Sequence, residues 1–329
     1  NALIAGYAQH GQYHKSANCF EQMKIEGLSP DVVTFICILK ACASEEAIDK
    51  GRQVHDEIAS RGLVLRNTML GNALVDMYAK CGVLTTARQV LDELEVRDLV
   101  SWNILLTGYA KKGRINEALN CLEQMESEGI SPDGVTFICI LKACIITRAL
   151  EKGLAIHTEI VIRGLLLKDT ILGNALVDMY AQCGMLAVAR RILEELPIRN
   201  VVSWNALIAG HVQLGQGREA LDCFEQMQKE GLFPDVVTFI YILKACGRTR
   251  EVHKGKQFHD EIVARGLLKQ DNFLGYALVD MYAKCGFLAK AHEVLTELRI
   301  RDVVSWSALI SPYAQQDMGE EALVCFRRL

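Results

Sequence analysis

Apolar residues recur along this chain at helical spacing, in short runs separated by glycine and polar residues. Within 99–133, Trp102, Leu105, Leu106 and Tyr109 follow i, i+3, i+4, i+7, and Gly113 stops the run. Ala118, Cys121, Leu122 and Met125 repeat the spacing, and Gly129 and Pro132 close it. The pattern predicts two amphipathic helices joined by a tight turn. Segments 134–169 and 170–200 have the same form. Alternating period-two segments bounded by hairpin turns do not occur, so strands are not expected.

These hairpins belong to a longer repeat. Trp102, Trp204 and Trp306 stand 102 residues apart. Around them Ser101-Trp102-Asn103 returns as Ser203-Trp204-Asn205 and Ser305-Trp306-Ser307. The stretch from Gly71 to Ala79 returns at 173–181 and, with one change, at 275–283; Phe35 to Cys42 returns at 137 and 239. Each 102-residue period divides into helix–turn–helix units of 35, 36 and 31 residues. The boundaries fall at 1–31, 32–67, 68–98, 99–133, 134–169, 170–200, 201–235, 236–271, 272–302 and 303–329. One hairpin cannot bury its apolar face alone, whereas stacked neighbours can. The expected fold class is therefore all-α, a right-handed superhelical α-solenoid. The end units are incomplete and lack polar capping helices. The chain is thus expected to be a piece of a longer protein, with end-to-end self-association open to its uncapped repeats.

Composition narrows the function classes. Half the residues are hydrophobic and only five are proline, which excludes a disordered or collagen-like chain. The longest strongly apolar stretches, such as Val32 to Leu39, fall far short of the roughly 18 residues that span a bilayer, so no membrane partner is expected. A net charge of −4 supplies no overall basic field for nucleic acid or anionic lipid. Twelve cysteines include no C-x-x-C pair and fall on repeat positions: Cys19, Cys121, Cys223 and Cys325 share one, and Cys42, Cys144 and Cys246 another. Cys81, Cys183 and Cys285 share a third, and Cys37 and Cys139 the last. That distribution reads as small thiols packed between helices, weakly implying a reducing compartment.

The 35/36/31 alternation, with Val201 to Ile208 reading VVSWNALI and 71–82 reading GNALVDMYAKCG, resembles pentatricopeptide repeat proteins. More narrowly it resembles their PLS subclass, built of P, L and S motifs of those lengths. The resemblance covers the whole chain. It implies single-stranded RNA as partner, one nucleotide per motif, in a mitochondrion or chloroplast, and most often site recognition for cytidine-to-uridine editing. The fifth and last residues of each motif would contact one base. In P and S motifs the fifth residues are Asn1, Asn72, Asn103, Asn174, Asn205, Tyr276 and Ser307, and the last are Asp31, Asp98, Asp133, Asn200, Asp235 and Asp302. Asparagine is a mediocre helix former, yet its amide donates and accepts at once, which suits a pyrimidine edge. Asn with Asp resembles the family's uridine pair; Asn174 with Asn200 resembles its cytidine-or-uridine pair. Acid or amide residues just before a helix are also N-caps, and both roles can coexist. An interhelical hydrogen bond is a second account of the asparagines.

L motifs carry Ile36, Ile138 and Ile240 at position five, which cannot hydrogen-bond a base, so Asn67, Asp169 and Asp271 at their ends are expected to discriminate little. The second residues, which in the family sandwich bases, are Val33, Met69, Val100, Val135, Ile171, Val202, Val237, Phe273 and Val304. All are apolar, as stacking or ordinary core packing would ask. With the family's parallel polarity the preferred RNA is 5′-U-n-U-U-n-Y-U-n-n-3′, Tyr276 leaving its nucleotide unassigned. Charge near neutrality leaves phosphates to local lysines such as Lys40, Lys80, Lys111, Lys112, Lys142, Lys244 and Lys284. Editing cofactor proteins could dock on the L motifs.

Catalysis is not expected. His55-Asp56-Glu57, His157-Thr158-Glu159 and His259-Asp260-Glu261 match the H-x-E of zinc deaminases, but no C-x-x-C completes the site, so no metal or cofactor is expected. There is no P-loop, dinucleotide-binding glycine signature or G-x-S-x-G elbow. The competing class is a peptide-binding helical scaffold of the tetratricopeptide kind, which the unequal unit lengths and the Asn/Asp pairs disfavour.

Overall fold

The computed structural model describes residues 1–63, 67–166, 169–269, 271–298, 303–315 and 318–328, without the side chains at 269, 304, 305, 311 and 315. The described residues form twenty α-helices and one short 3-10 turn, with no strand. They divide into two compact units, Asn1–Leu165 and Leu166–Leu329.

The first unit contains α1 (Ala2–Gln9), α2 (Tyr13–Ile25), α3 (Val32–Ser44), α4 (Ile48–Ser60), α5 (Thr68–Lys80), α6 (Leu84–Glu93), α7 (Leu99–Lys111), α8 (Ile115–Ser127), α9 (Gly134–Thr147) and α10 (Leu150–Ile162). Within this unit the odd-numbered helices open each hairpin and pack on one another in order, α1 on α3, α3 on α5, α5 on α7 and α7 on α9. Each of α2, α4, α6 and α8 packs on its own hairpin partner and on the next opening helix, and α10 packs on α9. The fold is thus two rows of helices. The second row stands further apart and is bridged by long ion pairs: Lys24 of α2 reaches Glu57 of α4 at 2.9 Å, and Arg163 beyond α10 reaches Glu126 of α8.

The second unit repeats this plan with α11 (Thr170–Gln182), α12 (Leu186–Glu195), α13 (Val201–Gln213), α14 (Gly217–Lys229), α15 (Val236–Thr249), α16 (Val252–Ala264), α17 (Asn272–Lys284), α18 (Leu288–Glu297), α19 (Val303–Gln315) and α20 (Gly319–Arg327). Lys254 of α16 bridges to Glu225 of α14 at 3.1 Å.

The repeated tryptophans explain how the rows are joined. Trp102 and Trp204 are buried, and their indole N–H groups donate to Glu128 (3.3 Å) and Glu230 (2.9 Å) at the far end of the same hairpin. Arg97 and Arg199 hold the same carboxylates, so the one polar atom of each buried ring is satisfied. Gly210 on α13 shows why small residues recur in the opening helices. A Cβ there would lie 2.8 Å from the Ala181 Cβ and 3.1 Å from the Ala181 carbonyl oxygen of α11. Close approach of the two backbones therefore excludes any side chain, although glycine weakens a helix.

All twelve cysteines are buried or half-buried, Cys81, Cys183 and Cys285 at the C-caps of α5, α11 and α17. Burial pushes Cys42 and Cys246 up to about 12 and Cys121 and Cys223 up to about 11, which keeps them as unreactive thiols. No helix among the described residues is long and apolar enough to cross a membrane.

Candidate nucleic-acid interface

The residue that ends each described unit is the N-cap of the next opening helix. Asp133 has extended backbone and accepts the Thr136 N–H at 2.9 Å, while Thr136 Oγ1 accepts the Asp133 N–H at 3.2 Å. The same capping box closes at Asp31, Asp98, Asn200 and Asp235. Asn67, Asp169 and Asp271 cap α5, α11 and α17 without the reciprocal bond. Capping thus accounts for an oxygen at every such position.

It does not consume the whole side chain. Asp133 Oδ1 takes the Thr136 N–H and Asn103 Nδ2 (3.2 Å), and Asp133 Oδ2 lies outside the cap. Beside them, the Thr136 hydroxyl can turn its one hydrogen to Asp133 Oδ1 (2.9 Å) or to Asn103 Oδ1. Asp235 repeats the arrangement with Thr238 and with Asn205 Nδ2 at 3.1 Å. Asp98 repeats it with Ser101 and with Asn72 Nδ2 at 3.5 Å. At Asp31 the cap uses Oδ1, and Asn1 Nδ2 donates to Oδ2 at 2.8 Å. Asn200 Oδ1 accepts the Ser203 N–H (3.0 Å) and Asn174 Nδ2 (3.3 Å), which orients the amide and leaves its Nδ2 where the aspartates place Oδ2. Burial pulls the Asp133 and Asp98 carboxyls up, but the hydrogen bonds from Thr136 and Asn103, and from Ser101 and Asn72, outweigh it. Both are held below the ordinary carboxylate range and stay charged at neutral pH.

The fifth and last residues are therefore brought together in five successive pairs: Asn1–Asp31, Asn72–Asp98, Asn103–Asp133, Asn174–Asn200 and Asn205–Asp235. The interhelical bond that could account for the asparagines is real, and it links each to the acid or amide of its own unit. Asp302 lies outside the described residues, so its pairing with Tyr276 is not described. Tyr276 packs edge-on against Phe273, ring centroids 6.0 Å apart. The Ser307 hydroxyl donates to its own helix at Val303 O (2.6 Å). Ile36, Ile138 and Ile240 are half-buried.

Exposure removes one of the two readings that composition left open for the second residues. Val33, Met69, Val100, Val135, Ile171, Val202, Val237 and Phe273 are all exposed, from 46% at Val237 to 72% at Met69. Core packing is excluded for these eight; the Val304 side chain lies outside the description. Positions two and five are i and i+3 on one helix, so Met69, Val100, Ile171 and Val202 each share a face with the pair-forming asparagine of their own unit. Helical angle was the available signal: position two lies about 200° from the buried residue at position four.

The charged groups nearby are partly neutralised. Lys80 and Lys284, expected to serve phosphates, form i, i+4 ion pairs with Asp76 (2.8 Å) and Asp280 (2.6 Å). The H-x-E groups diverge. His55 and His259 meet the hydroxyls of Tyr78 (2.9 Å) and Tyr282 (3.0 Å), while Glu57 and Glu159 pair with Arg61 and Arg163 at 2.6 Å. These histidines tie the second helix of one unit to the first helix of the next. Sequence reading missed that role, although the 23-residue His–Tyr offset recurs.

Comparison with known proteins places this geometry. The sequence profile of the PPR repeat family matches residues 1–44, 97–145 and 199–248, and the PPR repeat profile matches 72–99, 174–201, 277–303 and 304–329. A mitochondrial pentatricopeptide repeat-containing protein of Arabidopsis thaliana is 36% identical across all of this chain and 32% of its own length. A chloroplastic one from the same plant is 34% identical across all of this chain and 53% of its own. This chain therefore spans about a third to a half of those two relatives. In structure it is similar to the pentatricopeptide repeat protein PPR10 in complex with an 18-nucleotide psaJ RNA element, with TM-score 0.67 and 18% identity over 98% of this chain and 53% of that one. Helical hairpins, repeated amide–acid pairs and profile matches over most of the sequence converge: the chain belongs to the pentatricopeptide repeat family.

Proposed function

We propose that the chain reads single-stranded RNA by sequence, one nucleotide per helical hairpin. The observation that carries this is the recurring Asn–acid pair with a group left outside the cap, on the same face as an exposed apolar side chain. An unpaired base offers a polar edge and two apolar faces, and this combination meets both. Asn with Asp is assigned to uridine at Asn1–Asp31, Asn72–Asp98, Asn103–Asp133 and Asn205–Asp235, and Asn174–Asn200 to either pyrimidine. The 36-residue units, with isoleucine at position five, are assigned no preference. The site is then 5′-U-n-U-U-n-Y-U-n-n-3′. The RNA in the PPR10 complex supports the partner class.

The 35/36/31 alternation supports the PLS subclass and, with it, site recognition in organellar cytidine-to-uridine editing, the chemistry belonging to another domain or protein. The mitochondrial and chloroplastic relatives support an organellar address. Editing cofactor proteins at the 36-residue units, and end-to-end association, are further parts of this reading. Fluorescence anisotropy with U-A-U-U-A-U-U-A-A and a version purine-substituted at every pyrimidine position tests it. The pyrimidine RNA should win by about 1–3 kcal/mol per well-read position; equal affinities would remove base reading from this chain.

A further inference from the structure

The Asn–acid pairs are not equivalent, and the difference lies in a residue outside them. In 35-residue units the asparagine is held at both ends. Asn103 Nδ2 donates to Asp133, and Asn103 Oδ1 stands 2.8 Å from the Thr136 hydroxyl, the third residue of the next unit. Asn205 Oδ1 stands 2.8 Å from the Thr238 hydroxyl, and Thr34 reaches Asn1 Oδ1 in the same way. In the two 31-residue units that carry asparagine, 68–98 and 170–200, the third residue of the next unit is serine, and the bond is missing. Ser101 Oγ serves Asp98 alone, and Ser203 Oγ has turned to the Asn200 carbonyl at 2.8 Å. Asn72 Oδ1 and Asn174 Oδ1 are consequently buried without a hydrogen-bond partner, and the Asn174 residue is only 8% exposed.

All of these hydroxyls accept the N-cap N–H, at 3.2 Å for Ser101 and Thr136 and 2.9 Å for Ser203, but only those of threonine, with its fewer χ1 choices, also reach the asparagine. A buried carbonyl with no partner is costly, and a ligand donor that reaches it recovers the loss.

We infer that the third residue of each following unit is a positioning residue that sets which hydrogen-bonding group the preceding asparagine offers to a base. Behind threonine, Asn103 and Asn205 offer chiefly the second Nδ2 hydrogen, in a fixed plane. Behind serine, Asn72 and Asn174 carry in addition an unpaired acceptor, covered in the RNA-free chain, that the N–H of uracil or the exocyclic amine of cytosine would pair on binding. The inference rests on the base-reading function proposed above.

The test replaces one uracil at a time in U-A-U-U-A-U-U-A-A by pyrimidin-2-one, which keeps O2, has a bare N3 acceptor in place of uracil's N3–H donor, and lacks O4. Anisotropy titration should show weaker binding for both replacements, because Asp98 and Asp133 each lose the N3–H, with a loss about fivefold greater at the third nucleotide, facing Asn72, than at the fourth, facing Asn103. Ser101→Thr should lower the loss at the third position to that at the fourth, and Thr136→Ser or Thr136→Val should raise the loss at the fourth to that at the third. Ser101→Thr adds a methyl at a buried site, so if it fails to fold the Thr136 variants decide alone. Equal losses at both positions in the parent chain, or an unchanged pattern in the variants, overturn the inference. If the parent chain still prefers the pyrimidine RNA over the purine version in that case, base reading stands and only the positioning role falls. If it shows no such preference, both fall.

Discussion

Replacing Asp133 separates capping from reading. Asp133→Ala removes the oxygen that caps α9 and accepts from Asn103. Loss of an N-cap costs about 1 kcal/mol, and loss of the Asn103 bond about 1 kcal/mol more, so roughly 2 kcal/mol is expected. Asp133→Asn keeps an Oδ1 for the same donors, as Asn200 does natively. It gives up only the charge at a helix N-terminus, about 0.3–1 kcal/mol. Urea denaturation should rank the chains parent, Asn variant, Ala variant. Hydrogen bonds hold the folded Asp133 carboxyl below its unfolded value. Its contribution is therefore complete above the unfolded pKa and lost as pH falls through the folded one; the Asn variant should lack that site's part of the acid slope. In RNA binding the parent should favour uridine over cytidine at the fourth nucleotide by about 1 kcal/mol or more, and Asp133→Asn should shrink the difference below about 0.5 kcal/mol. An Asn variant as unstable as the Ala variant, or one with the parent's uridine preference, would refute the division of labour between the two oxygens.

Three further outcomes follow from the same geometry. Val135→Ser, at an exposed position, should change stability by less than about 0.5 kcal/mol in urea titration, yet weaken RNA binding by about 1 kcal/mol or more. Equal loss in both assays would return the side chain to the core. Gly210→Ala should destabilise by about 1–3 kcal/mol despite alanine's better helix propensity, because the new methyl meets the Ala181 backbone; a raised melting temperature would contradict the close approach. Burial lowers the pKa values of His55 and His259, so both are kept neutral in the fold against Tyr78 and Tyr282. Their share of stability is complete above the ordinary value of 6.5 and lost as pH falls through the folded values, so a double histidine-to-glutamine variant should flatten that part of a pH–melting profile.

Most of the fold was legible because repetition amplified weak signals. The i, i+3, i+4 spacing from Trp102 to Tyr109 placed α7, and Gly113, at φ +63°, ends its turn as glycine permits. The caps were legible too, since Asp133 and Asn200 stand directly before apolar runs. Exposure of Val100 or Met69 was harder: composition sees an apolar residue, and only the helical angle separates it from the buried face. The Thr/Ser alternation at 34, 101, 136, 203 and 238 was visible but silent. Its meaning depends on a hydroxyl meeting an amide 33 residues away, and on which of two χ1 freedoms that hydroxyl has. The His–Tyr ties were hidden for a similar reason, because an H-x-E spacing draws attention along the helix while the contact runs across it.

A crystal structure of this chain with U-A-U-U-A-U-U-A-A would test the central claim most directly. The account predicts successive uracil edges against the amides of Asn72, Asn103 and Asn205, with base faces on Val100, Val135 and Val202. RNA lying along the second helices, or bases turned away from these asparagines, would contradict it.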